Sequence, residues 1–263
     1  MSSINNSLFV GKVRHHFSQL PSTNLYATEL LSKSKPPEGT IITTDEQTDG
    51  RGQIGSRWES EAGSNITLSA ILYPRFLLAR DQFCLNMAIS LAVADCIRQV
   101  LPAGSPPAAL RIKWPNDIYY LQYKIAGILI QNQLSGSSIQ SSVVGIGINV
   151  NQQDFDDAIP NAGSLRRISG KQYEIESLIP ILCAQLEHRY LQLRQQRRDL
   201  LRTNYLENLF QYQQEAWYAD AQGHRFRGRV VGVDPSGKLQ VERGGHVHAF
   251  EIKQIRFLIN STA

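Results

Sequence analysis

Lys113-Trp114-Pro115-Asn116-Asp117, then Lys124-Ile125-Ala126-Gly127-Ile128-Leu129, then Gly145-Ile146-Gly147-Ile148-Asn149-Val150-Asn151: the reading of this run decides the fold class. Arg111-Ile112-Lys113-Trp114 is a short extended piece. Pro115 breaks it, because the residue before a proline is held out of the helical region. Strands are expected at 118–121, 125–134 and 142–150, where β-branched and apolar residues dominate. They follow one another with no helical segment between them. Strict strand–helix alternation would signal a doubly wound parallel sheet, whereas strands in sequence signal an α+β domain with a mixed sheet.

Upstream, Ser22-Thr23-Asn24 reads as an N-cap leading a short helix over 25–34, which stops before Pro36-Pro37. The β-branched run at 40–44 is a strand that delivers Asp45, Glu46 and Gln47 to a glycine-rich loop. A further strand covers 65–73. Leu85, Ile89, Ala92 and Cys96 fall at helical spacing and place an amphipathic helix over 79–101. Downstream, Leu178, Ile181, Leu182, Leu186 and Leu193 mark a second long helix. From about residue 214 the character changes. Short β-type runs there are separated by Asp234-Pro235-Ser236-Gly237 and Gly244-Gly245, the turn spacing of a small antiparallel barrel. The expected organisation is a large domain over 1–213 and a small one over 214–263.

Composition narrows the class. The chain has 263 residues, 42% hydrophobic and 19% charged, as ordinary globular proteins do. A net charge of +4 permits an anionic ligand or an acidic partner but lacks the footprint of a nucleic-acid binder. Cys84, Cys96 and Cys183 form no CxxC pair, and an odd count argues against a disulfide framework, so a cytoplasmic setting is expected. Residues 1–6 lack the order of a signal peptide. No uninterrupted apolar run approaches ~20 residues, so no membrane-spanning helix is expected.

Chemistry concentrates in a few places. Gly50-Arg51-Gly52-Gln53-Ile54-Gly55-Ser56-Arg57-Trp58 combines a backbone able to approach a ligand closely with forked cationic donors and a flat aromatic face. That favours anion binding over a merely solvated loop. Asn116 and Asp117 stand at a bend, where a carboxylate can hold a metal or a ribose hydroxyl; a self-satisfied turn is the plainer reading. Lys124 opens an apolar strand, where its ammonium either meets a phosphate or carboxylate or snorkels to water. Gly127 removes a side chain where a ligand or backbone approaches. The two glycines of 145–147 leave either a ligand slot, with Asn149 reading a purine edge, or a close-packed strand. The sequence holds neither a dinucleotide fingerprint opening a helix nor a P-loop.

These motifs, in this order, resemble the biotin–protein ligases of the biotin–acetyl-CoA-carboxylase ligase type. The resemblance runs through Ser22-Thr23-Asn24, Gln47, Gly50-Arg51-Gly52, Trp58, the KWPND, KxAGIL and GxGIN motifs, and on into the C-terminal part. It implies a class II aminoacyl-tRNA synthetase-like catalytic domain followed by an SH3-like barrel. It also implies a two-step reaction. Biotin attacks the α-phosphate of ATP to give biotinyl-5′-AMP, and a lysine of the biotin carboxyl carrier protein then takes the biotinyl group. No covalent enzyme intermediate is implied.

Carried over position by position, the resemblance implies biotin contacts from Ser22, Thr23, Asn24, Gln47, Gly50, Arg51, Gly52, Gln53, Lys124 and Gly127. For ATP it implies Arg51, Trp58, Lys113, Asn116, Asp117, Lys124 and Asn149. Arg51, Lys124 and Asp117 are the catalytic group, Asp117 being also the candidate Mg²⁺ ligand. Trp58 and Trp114 are site walls or plain core. Two departures stand out: Gln53 and Ser56 replace arginines of the family loop. Only residues 1–21 precede Ser22, too few for the DNA-binding domain of the dual repressor–ligases, so the monofunctional form is expected. Biotin, ATP and the carrier are the expected partners, with no nucleic acid and no membrane; a homodimer stays open. The rival readings are a lipoate–protein ligase, a biotin-responsive regulator and a non-catalytic carrier-binding module. KWPND and GRGQ speak against the first, the mild charge against the second, and Arg51, Lys124 and Asp117 against the third.

Overall fold

The computed structural model describes residues 7–53, 57–156, 159 and 161–259. Expectations placed on residues 1–6 and on Ile54-Gly55-Ser56, including the Ser56 departure, lie outside the described residues.

The strands are β1 (Arg14–Leu20), β2 (Ile41–Gln47), β3 (Ile66–Leu72), β4 (Leu110–Lys113), β5 (Asp117–Tyr120), β6 (Tyr123–Ser135) and β7 (Ser138–Ile148). They form one sheet in the order β1-β2-β3-β7-β6-β5-β4. β1 and β2 are parallel and the remaining neighbours antiparallel, so the sheet is mixed, as the run of consecutive strands requires. Helix α1 (Thr23–Lys33) lies on one face. Its Ala27 packs with Ile42, Ile71 and Val143. Ser22 occupies the N-cap position but its side chain makes no capping bond, which corrects the expected cap. Its hydroxyl is therefore left for the cleft described below.

The other face carries α2 (Gln82–Val100), α4 (Ile175–Arg194) and α5 (Arg198–Glu207), with the short α3 (Leu165–Ser169) at the margin. The helix expected over 79–101 starts with a separate 3₁₀ turn at Ala79–Asp81. The span Ala79–Val100 is long and apolar enough to cross a membrane by length and composition, although no unbroken apolar run foretold it. Its apolar side chains, from Phe83 to Ile97, are accounted for by burial in the main core. β1 and α5 gave little signal, because each is largely polar and only Leu201 and Tyr205 of α5 are buried.

Two ties position the ends of the chain. Glu187 of α4, 5% exposed, accepts the backbone N–H groups of Leu8, Phe9 and Val10 at 2.5, 2.7 and 3.0 Å. At the other end, β8 (Glu215–Asp220), β9 (Arg225–Val233), β10 (Leu239–Arg243), β11 (His246–Phe250) and β12 (Ile255–Phe257) form an antiparallel sheet in the order β11-β10-β9-β8-β12. It is joined to the large sheet by Trp114 Nε1, which donates to Gly237 O at 2.9 Å.

Candidate functional site

Residues directly opposite each other in paired strands share a face. The register therefore lines up Thr67, Gly147, Gly127, Asp117 and Lys113 across β3, β7, β6, β5 and β4. The two glycines give this row a floor without side chains, and Trp58 lies on it. A Cβ at Gly147 would overlap the indole, and one at Gly127 would come within 3.1 Å of it. Two residues along, Ser69, Gly145 and Leu129 align, and Gly145 leaves the space that the Asn24 amide fills. The slot expected over 145–147 is thus filled by Asn24 and Trp58 rather than left open.

Above this floor is a cleft of about 540 Å³, within the range of small-molecule sites. One end is polar and neutral, walled by Ser22, Thr23, Asn24 and Gln47. Gln47 Oε1 accepts from the Thr23 N–H at 2.8 Å, and Asn24 Nδ2 donates to Leu129 O at 3.3 Å. The other end is charged. Lys124 Nζ stands 2.7 Å from Asp117 Oδ1 and 5.9 Å from the Trp58 ring centre. Lys113 Nζ sits over the rings of Tyr119 and Phe257 at 5.1 and 5.4 Å. Burial pushes the Lys113 ammonium below the ordinary lysine value; Asp117 pulls against that shift and Lys124 adds to it. Arg51, Gly52, Gln53 and Arg57 flank the cleft from the loop, and Ile252, Lys253, Ile255, Arg256 and Phe257 close it from the C-terminal sheet.

Among the described residues, the cations on this wall are Arg51, Arg57, Lys113, Lys124, Lys253 and Arg256, against the single carboxylate of Asp117. Such an excess favours anionic ligands in a partly desolvated site. Among the described residues no group of three or more His, Cys, Asp or Glu side chains could hold a metal ion. Mg²⁺ asks for less: it keeps several waters and binds through one or two carboxylates plus substrate phosphates, which Asp117 satisfies.

Residues 16–149, half of the chain, match the Biotin/lipoate A/B protein ligase family. The chain belongs to this family. Among relatives of this ligase family, it is 32% identical over 237 residues to the bifunctional ligase/repressor BirA of Bacillus spizizenii, covering 85% of this chain and 67% of that one. It is 29% identical over 177 residues to the biotin–[acetyl-CoA-carboxylase] ligase of Mycobacterium tuberculosis, covering 67% of this chain and 64% of that one. A structure of the biotin protein ligase of Aquifex aeolicus in complex with biotin and ATP superposes with a TM-score of 0.76 at 22% identity, covering 94% and 99% of the two chains. That likeness extends to the mixed sheet and the C-terminal antiparallel sheet.

In this ligase-family chain most of the expected site residues converge on one cleft, but two do not reach its wall. Gly50 lies behind the loop neck, where a Cβ would overlap the Trp58 carbonyl, and Trp58 N–H donates to Gly50 O at 3.0 Å. Its role there is close approach of backbone. Asn149 is buried and gives its Nδ2 to Gly163 O at 2.9 Å, so it holds down the strap at 161–163; its Oδ1 is buried with no partner. The same strap pairs with the backbone of Lys124. Asn116 is likewise buried, with Nδ2 bonded to Ile128 O, although it borders the cleft. Sequence reading missed Thr67 and the wall from 252–257. Thr67 reaches the cleft through the pairing of β3 with β7, opposite Gly147. Nothing local marks the wall, which arrives by tertiary packing.

Proposed function

We propose that this protein activates biotin with ATP to biotinyl-5′-AMP and transfers the biotinyl group to a lysine of the biotin carboxyl carrier protein of acetyl-CoA carboxylase. The observation that carries the reading is the two-ended cleft. A neutral end rich in amides and hydroxyls suits a cyclic urea, and the cationic end a few ångströms along the same floor suits a carboxylate meeting a polyphosphate. The names of the ligase-family relatives accord with it.

The first step brings two anions together: the biotin carboxylate attacks the α-phosphate of ATP, the bond between the α- and β-phosphates breaks, and pyrophosphate leaves. Lys124, with Lys113 and the loop cations Arg51 and Arg57, offsets their repulsion and the charge growing on the α-phosphate. Asp117 keeps Lys124 in place and would hold Mg²⁺, which when bound with ATP neutralises phosphate charge. Ser22, Thr23, Asn24 and Gln47 hold the ureido ring, and Arg51, Gly52 and Gln53 cover the adenylate. Asn149 Oδ1, buried without a partner among the described residues, is the acceptor this reading assigns to the adenine amino group. In the second step the neutral amine of the carrier lysine attacks the acyl carbonyl, the amide forms and AMP leaves.

The same reading assigns the large domain, 1–213, to a class II synthetase-like architecture and 214–263 to an SH3-like barrel. It places the protein in the cytoplasm, in keeping with the free Cys84, Cys96 and Cys183, and without nucleic-acid or membrane partners. A homodimer is compatible with it. The deciding experiment is biotin-dependent ATP–pyrophosphate exchange by the purified protein, with lipoate run in parallel. Exchange driven by lipoate and not biotin would reverse the substrate assignment.

A further inference from the structure

Thr23, Asn24 and Gln47 border the cleft, and Ser69 lies directly behind them, completely buried. Obligate backbone groups at the two ends of this cluster fix the direction of every hydrogen bond between. At one end the Leu129 carbonyl can only accept, so Asn24 turns Nδ2 toward it and toward Gln131 Oε1 at 3.2 Å. Asn24 Oδ1 consequently faces Ser69 Oγ at 2.6 Å. An amide oxygen only accepts, so the single Ser69 proton is committed there. At the other end the Thr23 N–H can only donate, so Gln47 presents Oε1 to it and keeps Nε2 free to turn elsewhere. Thr23 Oγ1 lies between Ser69 Oγ at 2.7 Å and Gln47 Oε1 at 3.2 Å. Both of those oxygens can take its proton, and neither has one to give. The Thr23 proton therefore points inward, and what remains for the cleft is a lone pair.

We propose that Ser69 is a specificity-determining positioning residue: by committing its proton to Asn24 it fixes the Thr23 hydroxyl as an acceptor, and this end of the cleft selects a ligand that donates an N–H to it. The inference rests on the biotin reading above and deepens it. A cyclic urea brings two N–H donors and one carbonyl acceptor, matching an acceptor at Thr23 and a donor at Gln47 Nε2. A dithiolane ring brings neither. An analogue that puts an acceptor opposite Thr23 sets lone pair against lone pair, and sites built on hydrogen bonds reject such mismatches far more strongly than apolar pockets do. Ser69 touches no ligand and acts only through its neighbours.

The test uses ATP–pyrophosphate exchange with biotin and with its two cyclic carbamate analogues, in each of which one ring N–H is replaced by oxygen. Wild-type protein should prefer biotin on the order of 10⁴-fold in kcat/KM over the carbamate whose oxygen meets Thr23. In Ser69→Ala, Asn24 stays held by the Leu129 carbonyl, while the Thr23 hydroxyl loses its partner at 2.7 Å and is released to turn. The KM for biotin should then rise about fivefold with kcat within about twofold, and the preference over that carbamate should shrink about tenfold. A merely structural Ser69 would weaken both ligands alike, and an unchanged preference in Ser69→Ala overturns the proposal. Should that variant fail to fold, Ser69→Cys carries the same test, because a thiol is a weak donor and must also narrow the preference. If the wild type exchanges no pyrophosphate with biotin, the biotin reading itself falls, whatever the Ser69 variants do.

Discussion

Replacing Lys124 by methionine keeps the stem of the side chain and removes its charge. Nζ stands 2.7 Å from Asp117 Oδ1, and the two side chains are 29% and 22% exposed. An ion pair of that exposure contributes ~0.2–1 kcal/mol to stability, so the fold should survive with only a small fall in urea midpoint. The effect on the first chemical step is larger. A phosphate oxygen held ~3 Å from Nζ gains about 5 kcal/mol of direct attraction at an effective dielectric constant of ~20. Desolvation and the Asp117 carboxylate cancel part of this. Removing one preorganised group aimed at developing charge typically costs about 2.7–4 kcal/mol, or roughly 10²–10³ in rate. Biotin-dependent pyrophosphate exchange in Lys124→Met should fall by that factor, with urea unfolding run alongside to confirm the fold. Exchange within about threefold of wild type, in a protein with an intact unfolding transition, would refute the role given to this lysine.

Three further outcomes are expected. Glu187→Gln leaves one acceptor oxygen where the carboxylate serves three backbone N–H groups, and should lower stability by about 2–3 kcal/mol, read as a shifted urea midpoint at unchanged slope; a shift under about 0.5 kcal/mol removes Glu187 as the anchor of residues 8–10. Gln53→Arg should slow release of biotinyl-5′-AMP about fivefold by exchanging a neutral hydrogen bond for a charge-assisted one. Arg57→Ala and the double variant decide whether Arg57 already supplies that charge, and no change in either background ends the idea. Burial lowers the Lys113 pKa below the ordinary 10.5, so between the two values the unfolded chain binds a proton that the folded chain does not. Lys113 therefore makes stability rise with pH across that window; Lys113→Met should flatten the rise, and an identical pH–stability curve would contradict the assignment.

The floor of the site was legible because strands announce themselves through β-branched runs and period-two parity. Gly127, Gly147, Asp117 and Lys113 could be placed on strands or their ends, and their convergence follows from the register. The polar end was also legible, since Ser22, Thr23, Asn24 and Gln47 sit at element ends, where side chains are free to face a ligand. The sequence alone could not place Asn149. Whether its amide faces a ligand or a neighbour depends on the strap at 161–163, where Gly163 stands fourteen positions along the chain. Ser69 was invisible for a related reason: a serine in an apolar strand reads as filler until its Asn24 and Thr23 partners are known. β1 escaped because an edge strand with mostly polar, partly exposed residues shows little alternation.

The wall formed by Ile252, Lys253, Ile255, Arg256 and Phe257 has a consequence in the order of synthesis. A ribosome releases the floor residues Thr67, Lys113, Asp117, Gly127 and Gly147 long before it releases the residues that close the cleft over them. Until then Lys113 lacks the Phe257 ring and Trp114 lacks the Gly237 carbonyl. A nascent chain thus carries the charged half of the site open to water, where its cations are screened and bind anions weakly. The full wall arrives late in translation, so a chain broken off before the last sheet should hold an anionic ligand more weakly than the whole chain does.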